Sequence, residues 1–214
     1  ASSAEPVLAT DETAREANRV AAACATLEEL RSALERFEGC NLRLTARSLV
    51  FADGKPGSRL MIVGEAPGRE EDLQGLPFVG RSGQLLDLML KAIGLSRSEV
   101  YIANVVPWRP PGNRTPTPQE TAICCPFIQR QIELSAPEFL ICLGGAAAKE
   151  LMQTNEGILR LRGQWRSFPL GDGTIRAMAT LHPAYLLRQP LQKRLAWRDF
   201  MAIRDALGPS AAAH

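Results

Sequence analysis

The sequence is poor in the residues that build metal centres. It has two histidines, His182 and His214, and the second is the last residue. Its five cysteines (Cys24, Cys40, Cys124, Cys125 and Cys142) contain no C-x-x-C pair. A histidine-held metal or a zinc ribbon is therefore excluded from the expected functions. The odd number of thiols reads as reduced cysteine rather than a disulfide framework. Cys142 lies in an apolar run, where a small buried hydrophobe is expected. There is no G-x-S-x-G nucleophile elbow, which removes the serine chemistry of the α/β-hydrolases. No apolar run approaches the length of a membrane span and no secretory pattern opens the sequence, so a cytoplasmic protein with no membrane partner is expected. The net charge, +2, neither demands nor forbids an anionic partner.

What is present suits one medium domain: 214 residues, 45% hydrophobic, enough for a real core. Residues 1–18, rich in Ala, Ser, Thr and charge, read as a mobile terminus, 19–208 as a single domain and 209–214 as a tail. Val20, Ala23, Leu27, Leu30, Leu34 and Phe37 follow helical spacing, and Thr26-Leu27-Glu28-Glu29 resembles a capping box that starts or restarts a helix. Four short apolar runs, Leu60–Val63, Val100–Val106, Phe139–Leu143 and Arg176–Leu181, alternate with helical patterns over Gln84–Ile93, Pro118–Leu134, Ala146–Met152 and Gln192–Leu207. This alternation predicts a three-layer α/β/α fold around a mostly parallel sheet.

The ends of those runs carry the chemistry. The first delivers Gly64-Glu65-Ala66-Pro67-Gly68, the second Asn104 and then Pro107 to Arg114, the third Gly144-Gly145, and the fourth His182-Pro183-Ala184-Tyr185. In a parallel sheet such ends converge on one edge, where open α/β folds bind ligands. Glu65, Asn104 and His182 are therefore expected to meet. Glu70, Glu71 and Asp72 fit either acids placed at a helix N-terminus or further carboxylates of the site. Phe78 is either a core anchor or a platform for a planar ring. Asn104 offers a donor and an acceptor side by side, which suits the edge of a base. A histidine closing a strand on that edge can stabilise developing negative charge. Arg109, Asn113, Arg114, Arg188 and Gln189, with Lys193, Arg194 and Arg198 beyond them, gather positive and polar groups that suit phosphates.

Three motifs in this order, Gly64-Glu65-Ala66-Pro67-Gly68-Arg69-Glu70-Glu71-Asp72, Asn104 through Pro118, and His182-Pro183-Ala184-Tyr185-Leu186-Leu187, closely resemble the uracil-DNA glycosylase superfamily, in particular its family 4 branch; Leu143 to Lys149 fits as well. The resemblance runs over about residues 48–205. It implies a central four-stranded parallel sheet and an enzyme of base-excision repair that flips uracil out of DNA and hydrolyses its N-glycosidic bond. Uracil-containing DNA would be the substrate, with abasic DNA and free uracil as products, and the expected state is a monomer. Carried onto this chain, it sets Glu65, with Glu71 and Asp72 as further carboxylates, beside the attacking water. Gly64, Ala66, Pro67, Phe78 and Asn104 would hold the uracil, and His182 would stabilise its negative charge. Arg109, Asn113, Arg114, Tyr185, Arg188 and Gln189 would meet the DNA, with Arg188 as the wedge. A second reading, from a different class, is a protein that binds uracil-containing or abasic DNA with little turnover.

One departure stands out. Members of family 4 typically hold a four-iron cluster on four cysteines. Cys40 and Cys124 match two of those positions, while Phe37 and Trp108 stand at the others. The expectation is therefore a chain without the cluster, with no metal or other cofactor.

Overall fold

The computed structural model describes residues 8–208; residues 1–7 and the expected tail, 209–214, lie outside that range. Its strands are β1 (Asp53–Gly54), β2 (Leu60–Gly64), β3 (Tyr101–Asn104), β4 (Phe139–Leu143), β5 (Trp165–Leu170) and β6 (Gly173–Thr180). Its helices are α1 (Leu8–Ala22), α2 (Leu27–Arg36), α3 (Leu42–Thr45), α4 (Arg69–Gln74), α5 (Arg81–Ala92), α6 (Pro118–Ser135), α7 (Gly145–Leu151), α8 (Ile158–Leu161), α9 (Pro183–Arg188) and α10 (Lys193–Leu207).

The sheet order is β1-β3-β2-β4-β6-β5. The inner four strands, β3, β2, β4 and β6, are mutually parallel, as expected. Sequence reading missed the two edges, β1 antiparallel to β3 and β5 antiparallel to β6. β2, β3 and β4 throughout, and β6 from Ala177 onward, are buried on both faces, so they read as continuous apolar runs. Alternate residues serve opposite layers. Met61, Val63, Leu140 and Cys142 share a core with α1, α2, α6 and α7. Leu60, Ile62, Ile141 and Leu143 share the other with Leu86 and Leu90 of α5 and Phe200 and Ile203 of α10.

The N-terminal boundary is corrected. Leu8–Ala22 form a helix where a mobile segment was expected through residue 18. Ala17 and Ala21 are buried in the core and the helix packs on α6. Small side chains make this seam, so no large apolar stripe announces it. The capping motif at Thr26 holds with a one-residue shift: the Thr26 hydroxyl accepts from Glu29 N at 3.1 Å, and the Glu29 carboxylate accepts from Ala25 N at 2.7 Å.

A buried polar knot fixes the last parallel strand against α10. Asp199 accepts from the Thr180 hydroxyl at 2.6 Å and from Arg162 Nε at 3.0 Å, and Arg162 also donates to the Leu195 carbonyl at 2.6 Å. Burial pushes the Asp199 carboxyl above the ordinary range, opposed by the Thr180 hydroxyl and by Arg162. Gly163 passes so close that a Cβ there would stand 2.5 Å from Asp199 Oδ1. Removing one partner strands the other in a site of low polarity. Asp199→Ala is accordingly expected to cost about 3–5 kcal/mol, read as a lower denaturant midpoint at unchanged m-value.

Candidate active site

The carboxyl ends of β2, β3, β4 and β6 open on one cleft of ≈ 710 Å³. Eleven of the site residues expected from sequence line it: Glu65, Ala66, Pro67, Glu71, Phe78, Asn104, Asn113, Arg114, His182, Tyr185 and Arg188. Parallel pairing brings them together, because Gly64 is in register with Asn104 and Leu143 with Thr180.

Gly64 does not line the cleft; it lies beneath. A Cβ on it would stand 2.5 Å from both Asn104 Oδ1 and the Phe78 ring, so only glycine lets these two side chains meet over the strand end. Asn104 is buried, and its Oδ1 has no hydrogen-bond partner among the described residues. A buried acceptor without a donor is costly, and a ligand N–H supplies what it lacks.

Phe78 sits at φ 53°, in the left-handed region that phenylalanine rarely adopts. Two features hold it there. A Cβ on Gly83, in the first turn of α5, would overlap the Phe78 carbonyl oxygen, so the bare Cα makes room for the turn. Glu71 then clasps the loop: its carboxylate accepts from Gly68 N at 3.1 Å, Val79 N at 3.0 Å and Gly80 N at 2.9 Å. The carboxylate therefore joins the Glu65 loop to the Phe78 loop. Asp72 does similar work outside the cleft, accepting from Arg47 N at 2.8 Å and Ser48 N at 3.1 Å, with Arg109 at 3.9 Å. Both acids are thus occupied by backbone amides, a role sequence reading did not give them. Glu71→Gln places an amide NH₂ among three donors. It is expected to cost about 1–3 kcal/mol and to slow turnover, which unfolding curves and single-turnover rates would check.

Glu65, by contrast, is half-buried on the cleft wall. Burial alone pushes its carboxyl above the ordinary range, with no other group offsetting it. His182 is the N-cap of α9, and its Nδ1 accepts from Ala184 N at 3.1 Å. In the neutral ring the proton consequently resides on Nε2. Burial, with help from nearby Arg188 and against the pull of Glu71, lowers the imidazole pKa to about 4, so it is neutral at pH 7. Its ring lies 5.6 Å from that of Phe78, centroid to centroid.

Arg69, Arg81, Arg114 and Arg188 all reach the cleft and are exposed. Arg114 is paired with Glu120 at 2.6 Å, while Arg109 donates to Asn113 Oδ1 at 2.6 Å without itself lining the cleft. Gln189 ends α9 outside the lining. Sequence reading passed over Arg69, Arg81 and Ser82. The signal was there: Gly68-Arg69 and Gly80-Arg81-Ser82-Gly83 each open a helix on this edge, the arrangement that favours anions.

Fold and site together define an α/β protein with a cleft at the strand ends that holds Glu65, the exposed Glu70, the amide-bound Glu71 and a neutral imidazole, rimmed by arginines. The model of the Uracil DNA glycosylase superfamily matches residues 51–201, and the chain belongs to that family. Similar proteins include the Type-4 uracil-DNA glycosylase of Archaeoglobus fulgidus, 38% identical over 173 residues, covering 79% of this chain and 87% of that one. That of Thermotoga maritima is 39% identical, covering 76% and 83%. That of Sulfurisphaera tokodaii is 35% identical, covering 84% of each. Among the described residues no helix is long and apolar enough to cross a membrane.

Proposed function

We propose that this protein is a monofunctional uracil-DNA glycosylase of base-excision repair, working on a base flipped out of the DNA. The observation that carries the reading is the unpartnered Oδ1 of Asn104, buried beside the Phe78 ring on a floor only glycine can form. A uracil laid on Phe78 turns its imide N–H to that oxygen, and the amide NH₂ of Asn104 matches the neighbouring carbonyl. Stacking and these hydrogen bonds offset the few kcal/mol that leaving the helix costs.

In the reaction water adds to C1′ of the deoxyribose as the C1′–N1 bond breaks, and the bonding pair leaves with the uracil. Glu65 orients the water and accepts its proton, as carboxylates do in other glycosidic cleavages. The Nε2–H of His182 donates a hydrogen bond to the oxygen on which the departing uracil gathers charge. Glu71 keeps both loops in place, and the arginines on the rim hold the phosphates. The products are free uracil and DNA with an abasic site, and no metal or cofactor enters any step.

The test is uracil release from a labelled single-stranded oligonucleotide, with Asn104→Ala alongside. Multiple-turnover release by the parent, strongly reduced in the variant, is the expected result. Tight binding with no release, even in a single turnover, would instead make the protein a binder of uracil-containing or abasic DNA.

A further inference from the structure

The four-iron cluster implied by the resemblance does not fit the residues of this chain, and we infer that its corner is instead a cofactor-free staple made of two aromatic rings and two touching thiols. Phe37 caps the end of α2, Cys40 precedes α3, Trp108 follows β3 and Cys124 lies in α6. A cluster of this kind requires about four thiolates. A phenyl ring offers no donor atom and an indole N–H only donates.

The two sulfurs that remain are 3.9 Å apart, in direct contact, with no space between them for an iron–sulfide core. The surroundings are closed as well. Phe37 is 6% exposed, Trp108 2%, Cys40 1% and Cys124 0%. The Phe37 ring meets Phe127 edge-on at 5.0 Å. Cys125, next in sequence to Cys124, faces away, lining a groove with Asp11, Arg15 and Gln129. Among the described residues, no group of three or more His, Cys, Asp or Glu side chains converges to hold a metal ion.

The staple has a structural task. Trp108 is the buried foot of the loop whose Pro110, Asn113 and Arg114 line the cleft. The carbonyl of the preceding Pro107 accepts from Val50 N at 2.9 Å. Trp108 shares one buried apolar core with Phe37, Cys40, Leu34 of α2 and Cys124 and Phe127 of α6, so this side of the cleft is held by burial of apolar surface, where metal–thiolate bonds would otherwise do so.

Iron and acid-labile sulfide, measured on the purified chain before and after anaerobic reconstitution with ferrous iron and sulfide, test this inference. Well below one iron per chain is expected in both states, with a thermal midpoint that chelators do not move. About four irons per chain with matching sulfide, or a midpoint lowered by chelator, would overturn it. These readouts need no substrate, so they stand apart from the proposed activity. Cys40→Ala/Cys124→Ala is expected to retain the parent's uracil release; iron in the parent, lost together with activity in this variant, would count against the staple. Phe37→Cys/Trp108→Cys returns four thiols to the corner and is expected to take up iron on reconstitution. A folded double variant that stays iron-free would refute the placing of Phe37 and Trp108 at ligand positions. If that variant does not fold, the parent's iron content decides.

Discussion

Glu65→Gln is expected to slow single-turnover uracil release by about 10²–10⁴-fold while leaving the affinity for uracil-containing DNA close to that of the parent. The half-buried side chain stands on the cleft wall, while Glu71 is committed to three backbone amides, Asp72 to two, and Glu70 is exposed at the start of α4. Glutamine retains the size and one acceptor oxygen but cannot take a proton from water. The loss should therefore fall on the chemical step rather than on binding. Asp72→Asn, tested in parallel, is expected to affect stability more than rate.

The same substitution has a second readout of opposite sign. Burial raises the Glu65 carboxyl pKa in the folded protein. Between the unfolded and folded values the folded state binds more protons, so stability falls as pH rises through that window, and at neutral pH the ionised group is a net cost. Glu65→Gln removes that cost and is expected to raise the unfolding midpoint at pH 7. In the parent, the rate should drop on the acid side at a higher pH than an ordinary carboxylate would give, and the variant should lack that limb. A variant that lost activity and stability together would speak for a structural glutamate.

Much of this arrangement was readable in the sequence because β2, β3 and β4 are buried on both faces. Leu60–Gly64 and Phe139–Leu143 have no polar residue to break the run; the first ends in Gly64 and the second leads into Gly144-Gly145, which mark the active edge. The edge strands gave no such signal. Trp165–Leu170 mixes Arg166, Ser167 and Pro169 with its apolar residues because one side faces solvent, and the Gly171-Asp172 turn that pairs it with β6 was the only cue. Asp53–Gly54 is too short to show a period. Within the site, residue type located Glu65, Asn104 and His182 but did not separate their tasks from those of Glu71 and Asp72. Five carboxylate–amide hydrogen bonds make that distinction, and they depend on where the loops at residues 47–48 and 79–80 return. No local pattern encodes that return.

His182→Asn is expected to lower the rate by about 10²–10³-fold and to remove part of the protein's sensitivity to acid. Asparagine is a good N-cap and can still accept from Ala184 N, so α9 keeps its start while the Nε2–H donor is lost. The imidazole pKa falls from 6.5 to about 4 on folding. Between those values the unfolded chain binds the proton and the folded protein does not, so stability rises with pH across the window. Read in the other direction, the stability this residue contributes is complete above pH 6.5 and is lost as the pH falls through about 4. The full difference is about 3 kcal/mol, measurable as the slope of unfolding free energy against pH. The asparagine variant should show a shallower slope in that range. Imidazole proton resonances would supply a direct check, since His182 and His214 are the only histidines. A His182 resonance titrating above pH 7 would put a cation in the cleft at neutral pH and replace the neutral hydrogen-bond donor with charge stabilisation.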